Sequence, residues 1–231
     1  MATAHQATKI TQAKIGIIML NTRFARPVGD VGNLQSYRYP AMIHKLEKAN
    51  VANVVCDGLA PELLDEVLAA GQQLKKQGAN VITTSCGFLA IVQEQVQREI
   101  DLPFLASSLC LLPFLRQIYG ATSTIGVITF DSRVLSEAHF NGHFDSHLRI
   151  AGIENGEELH DVIKSGNEQL DVVKAERDVL SAAASLMSEQ PACILLECTN
   201  LSPYKAALRE AYGLPVYDLV DAVHWMADAR S

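Results

Sequence analysis

The chain has no apolar run near the roughly 18 residues that a membrane span requires, so a membrane is not expected as a partner. Met1 to Lys14 lacks the apolar segment of a secretory signal and is expected to form a polar tail. Basic charge is short as well. Nineteen Lys and Arg face 26 Asp and Glu, a net charge of −7, which argues against nucleic acid or anionic lipid as the main partner. No Cys-x-x-Cys pair occurs, and the histidines spaced four apart, His139, His143 and His147, are interrupted by the helix-weakening Gly142. No metal site is therefore expected. Five cysteines, an odd number at irregular spacing in 231 residues, do not make a disulfide framework. Reduced thiols in a cytoplasmic protein are the expectation.

What is present is an alternation of short β-rich runs with longer amphipathic stretches, the pattern of an α/β fold with parallel strands. Strands are predicted at Lys14 to Leu20, Ala52 to Cys56, Asn80 to Ser85 and Pro103 to Ala106. The second half has them at Thr124 to Thr129, Leu148 to Ala151, Ala192 to Glu197 and Val216 to Tyr217. Helices are predicted after Pro61, from Asn167 to Ser188, after Asp131-Ser132, and from Asp218 to Ala229.

The two halves share landmarks. Ile-Gly-Ile-Ile at Ile15 to Ile18 is echoed by Ile-Gly-Val-Ile at Ile125 to Ile128. Gly16 precedes Cys86 by 70 positions (86 − 16) and Gly126 precedes Cys198 by 72 (198 − 126). Leu102-Pro103 and Leu214-Pro215 both begin 16 positions after those cysteines (102 − 86 and 214 − 198). Three landmarks in register imply a duplicated unit. The expected fold is two pseudo-symmetric flavodoxin-like lobes with parallel sheets, spanning 14–119 and 120–217, with 218–231 packing back on the first. The functional crevice of such sheets lies at the carboxyl ends of the strands, so the active site is expected in the cleft between the lobes.

Cys86 and Cys198 fall at those strand ends, each just before a helical pattern, where unpaired backbone N–H groups favour a thiolate. Gly87 allows close approach to the backbone. Cys56, Cys110 and Cys193 sit within apolar runs or on helix faces and read as packing residues. Two thiols at one cleft can act as base and acid on one substrate.

Thr84-Ser85-Cys86-Gly87 and Glu197-Cys198-Thr199-Asn200, each ending the third strand of a half, resemble the aspartate/glutamate racemase superfamily over nearly the whole chain, Lys14 to about Trp225. The resemblance implies a cofactor-independent racemase or epimerase of an amino acid or related small carboxylate. One cysteine removes the α-proton and the other delivers a proton to the opposite face, without pyridoxal phosphate or metal. It implies catalytic roles for Cys86 and Cys198 and substrate contacts from Asn21, Thr84, Ser85, Gly87, Thr129, Thr199 and Asn200, and it suggests a homodimer. Gly87-Phe88 stands where glutamate racemases usually carry Asn-Thr, and Asn200 where they carry His, which points away from glutamate. A decarboxylase or cis–trans isomerase on the same scaffold, or a non-catalytic small-ligand-binding protein, are the alternatives. The long connection Asn21 to Pro40, with Arg23, Arg26 and Arg38, is a candidate lid; its arginines are able to bind a second carboxylate but are expected mainly as solvated surface charge.

Overall fold

A computed structural model describes residues 12–230; the expected tail lies, through residue 11, outside the described residues. Eight strands form two four-stranded sheets in which every pairing is parallel. The first sheet holds β1 (Ile15–Met19), β2 (Ala41–Lys45), β3 (Val81–Thr84) and β4 (Phe104–Leu105), in the order β2-β1-β3-β4. The second holds β5 (Ile125–Thr129), β6 (Leu148–Gly152), β7 (Cys193–Leu196) and β8 (Val216–Tyr217), in the order β6-β5-β7-β8. The register repeats too. Ile18 pairs with Thr84 in one sheet, and Ile128 with Leu196 in the other.

Helices cover the sheets: α1 (Val51–Val54), α2 (Pro61–Lys76), α3 (Gln93–Ile100), α4 (Leu112–Tyr119), α5 (Leu159–Ser165), α6 (Val172–Ala184), α7 (Lys205–Tyr212) and α8 (Leu219–Asp228). Helix α2 turns Leu63, Val67, Ala70 and Leu74 inward, the 3.6-residue periodicity of a helix with one buried face. Helix α8, capped by the Asp218 carboxylate on the Asp221 N–H, buries Leu219, Val220 and Val223 in one cluster with Ile15, Ile17 and Val81 of the first sheet. A single apolar core otherwise runs continuously from Ile18 to Val216 through both halves.

Three predicted elements are displaced. The strand beside β1 is Ala41–Lys45, not Ala52 to Cys56. The Val51-rich segment is instead closed into a short helical turn, because Asn50 accepts from the Ala52 N–H while Asn53 accepts from the Asn50 N–H. Asp131-Ser132 starts no helix. The Asp131 carboxylate takes the Arg133 N–H and guanidinium and holds a tight turn. Helix α6 begins only after Asp171, whose side chain caps the Val173 and Lys174 N–H groups.

Candidate active site

Strands β3 and β7 end at equivalent points, and each hands its chain to a six-residue 3-10 helix, Gly87–Val92 and Thr199–Tyr204. Cys86 and Cys198 are the N-cap residues of these helices, in extended backbone conformation. Both thiols are buried and line the same narrow pocket, which opens in part to solvent. Residues of both lobes line it: Leu20, Thr22, Phe24, Arg26, Val51, Val55, Ser85, Gly87 and Phe88 from the first, and Phe130, Ile163, Glu197, Thr199 and Asn200 from the second.

Polar bonds tie the lobes together around this pocket. The Thr199 hydroxyl donates to the Ser85 carbonyl at 2.7 Å, and the Ser108 hydroxyl to the Leu196 carbonyl at 2.6 Å. Asn200 Nδ2 donates to Asp30 Oδ2 at 2.7 Å, while the Cys198 thiol faces Asn200 Oδ1 at 3.6 Å. Asp30 in turn holds Arg26 at 2.8 Å. The guanidinium also donates to the Thr22 hydroxyl at 2.9 Å and lies 4.2 Å over the Phe24 ring. Such bracing fixes a planar donor fork in a mostly apolar pocket, with N–H groups left over for a carboxylate.

The two thiols are not electrostatically equal. Burial pushes the Cys86 thiol up to about 12, and the nearby Glu197 charge adds to this. The Phe88 and Leu89 N–H groups and the Arg26 guanidinium pull the other way. Cys198 is pushed well above the ordinary thiol value by burial, then by Glu197, Cys86 and Asp30, with only the Asn200 N–H opposing. Glu197 is itself lifted to about 7 by burial, against the opposing bonds of Thr129 and the Phe130 backbone.

The expected contact residues divide. Ser85, Gly87, Thr199 and Asn200 line the pocket with both cysteines. Thr84 lies beneath, its hydroxyl donating to the Ala106 carbonyl at 2.7 Å, and Thr129 donates to Glu197 Oε2 at 2.6 Å. Asn21 is exposed, its amide bonded to the Glu47 carbonyl, and does not line the pocket. Arg26, expected at the surface, is instead about 10% exposed along its side chain. Phe88 both lines the pocket and meets His139 edge-on at 4.8 Å. Glu197, Arg26 and Asp30 carry the site's charge without standing out by spacing. Their signals are an acidic residue closing an apolar strand, and an Arg/Asp pair four apart in a long connection.

Gly87 has a specific cause. A Cβ there would overlap Glu197 Oε1 and the Glu197 carbonyl oxygen, so only glycine leaves room for that carboxylate. No cluster of three or more metal-ligating side chains occurs among the described residues, and no helix is long and apolar enough to cross a membrane.

The sequence model of the Asp/Glu/hydantoin racemase family matches residues 66–227. Among sequence relatives, a dimethylsulfoniopropionate lyase from Durusdinium sp. clade D is 28% identical over 91% of this chain and 73% of its own length. Dimethylsulfoniopropionate lyases 7 and 5 of Emiliania huxleyi are 25% and 28% identical over 89% and 91% of this chain. This chain spans only 64% and 44% of their respective lengths. Among solved structures, allantoin racemase from Klebsiella pneumoniae matches with a TM-score of 0.60 at 14% identity, covering 94% of this chain and 87% of that one. Glutamate racemase from Francisella tularensis with D-glutamate matches at 0.56 and 13% identity, covering 94% and 80%. Unliganded arylmalonate decarboxylase matches at 0.56 and 15%, covering 94% and 92%. These three likenesses are of fold alone.

Proposed function

The chain belongs to the Asp/Glu/hydantoin racemase family, and from that premise we propose that it removes the α-proton of a small carboxylate and expels a leaving group from the β-carbon. Dimethylsulfoniopropionate is the favoured substrate. The relatives named as lyases of this compound align with about nine-tenths of the chain, at 25–28% identity.

Racemisation and this elimination share their first step, transfer of the proton beside a carboxylate to a base. In the elimination the C–H electron pair becomes the new C=C bond. The C–S pair leaves with sulfur, giving neutral dimethyl sulfide and acrylate, and the base ends protonated. One base suffices. The observation that carries this reading is the make-up of the pocket, where the buried Cys86 and Cys198 lie with Arg26, Glu197 and three phenyl rings; burial, then the Glu197 charge, raises both thiols, and Arg26 opposes the rise at Cys86. In the empty pocket burial keeps both protonated; a bound sulfonium cation offsets the Glu197 charge and lowers the cost of the Cys86 thiolate. Arg26 is placed to receive the carboxylate, and Phe24, Phe88 and Phe130 offer apolar, cation-tolerant walls to the methyl groups. Cys198, as neutral thiol, is assigned as donor to the developing enolate.

One observation favours a second activity, racemisation of an amino acid or related carboxylate. Both pseudo-equivalent thiols line one pocket, the arrangement that two-sided proton transfer needs. The deciding experiment supplies dimethylsulfoniopropionate and follows headspace dimethyl sulfide by gas chromatography, beside α-proton exchange of amino and hydroxy acids in deuterated water. Enzyme-dependent dimethyl sulfide release is the expected result. No release, together with racemisation of a panel member, would replace elimination by racemisation.

A further inference from the structure

Glu197 is fully buried, and its two oxygens fare differently. Oε2 receives the Thr129 hydroxyl at 2.6 Å, whereas Oε1 has no hydrogen-bond partner. No Lys, Arg or His pairs with this carboxylate among the described residues; Arg26, which shares the pocket, is ion-paired with Asp30 and bonded to Thr22, not to Glu197. The equivalent position in the first half shows that the fold does not require an acid here. Ser85 ends that strand with a hydroxyl that accepts the Leu20 N–H at 3.2 Å. A buried carboxylate without a positive partner is costly, yet the chain keeps glycine at position 87 and so leaves room for it.

We infer that Glu197 is the counter-charge for the cationic group of the ligand, and that it makes the pocket select sulfonium or quaternary-ammonium carboxylates over carboxylates of the same shape that lack the cation. The inference rests on the small-carboxylate assignment of this pocket and adds the residue that reads the cation. An onium group has no N–H to donate and spreads its charge over methyl groups. It suits a buried carboxylate whose unbonded oxygen is packed against Gly87, beside a pocket with aromatic walls, better than a primary ammonium does, which would need several acceptors within reach. The groups facing Glu197 are the two thiols, with the Arg26–Asp30 pair in the same pocket and the His160–Asp131 pair behind Phe130. With its titration near 7 in the empty site, entry of a cation releases a proton from Glu197 at neutral pH.

Calorimetric titration with 3-(trimethylammonio)propionate and with 4,4-dimethylpentanoate, the isosteric carboxylate in which carbon replaces the cationic nitrogen, tests this in wild type and Glu197→Gln. Wild type is expected to bind the onium compound at least about tenfold more tightly than the isostere, with proton release seen as a buffer-dependent heat. Glu197→Gln is expected to lose both the preference and the proton release, binding the onium compound no more tightly than the cation-free isostere. Glu197→Ser, which copies the Ser85 solution, gives the same result should the glutamine variant fail to fold. A preference that survives both substitutions, or that wild type lacks, overturns the inference. The two proposals fail separately. Onium preference without dimethyl sulfide release sinks the elimination, and release with an unchanged preference in Glu197→Gln sinks the counter-charge.

Discussion

At the scale of single residues, Glu197 links the site to the stability of the fold. Its value in the folded protein, about 7, lies above the ordinary 4.5. Between those values the native chain holds a proton that the unfolded chain has lost. The stabilisation is therefore full below pH 4.5 and is lost as pH rises through 7, by about 3 kcal/mol in all. Glu197→Gln should flatten this fall, so urea midpoints of the variant at pH 5 and pH 8 should differ less than those of wild type. An equal drop in both would assign the titration elsewhere. The two cysteines were legible from sequence because a duplicated landmark marks a strand end whatever the side chain beside it. Asn21 was not, because its one-residue neighbour relation to Thr22 says nothing about which of the two turns inward. Only Thr22 lines the pocket, while Asn21 is held outside by the Glu47 carbonyl.

At the scale of elements, the parallel strands with long apolar runs, β1, β3, β5 and β7, could be placed to within a residue or two, since burial on both faces leaves nothing else for such runs to be. Edge strand β2 could not. Its residues are only partly buried, and its Ala-Met-Ile-His-Lys pattern is weaker than that of the nearby Val51–Val54 turn, where asparagine side chains override β propensity. The same difficulty hid the connection between β1 and β2. Its course is fixed by tertiary bonds, Asp30 to Arg26 and Asn200, which no local pattern announces. That bracing makes a prediction for the connection. Arg26→Lys replaces a fork that reaches Asp30 and Thr22 together by a point charge, so KM for the carboxylate substrate should rise about tenfold or more with a smaller change in kcat. Steady-state dimethyl sulfide release measures both; an unchanged KM would remove Arg26 from carboxylate binding.

For the whole molecule, duplication and cooperativity pull in different directions. Two similar half-chains with separate cores would unfold in turn, but here one core runs through both and buried polar bonds cross between them. Helix α8, last in sequence, packs on the first sheet, so the first half's packing is completed only by the chain's end. Trp225, the one tryptophan, stacks on Phe114 of α4 at 5.9 Å and so reports on that half. Its fluorescence and the far-ultraviolet circular dichroism should give superimposable denaturation curves. An earlier fluorescence transition would show that the lobes unfold separately.

In the proposed reaction a proton leaves the α-carbon in a pocket lined by both thiols. Proton magnetic resonance of dimethylsulfoniopropionate with wild type, Cys86→Ser and Cys198→Ser in deuterated water follows acrylate formation and α-proton exchange together. Wild type is expected to accumulate acrylate. Cys86→Ser should produce neither acrylate nor exchange, and Cys198→Ser should slow acrylate formation by roughly a hundredfold, the range of a lost donor. Undiminished acrylate formation by Cys86→Ser would contradict the account.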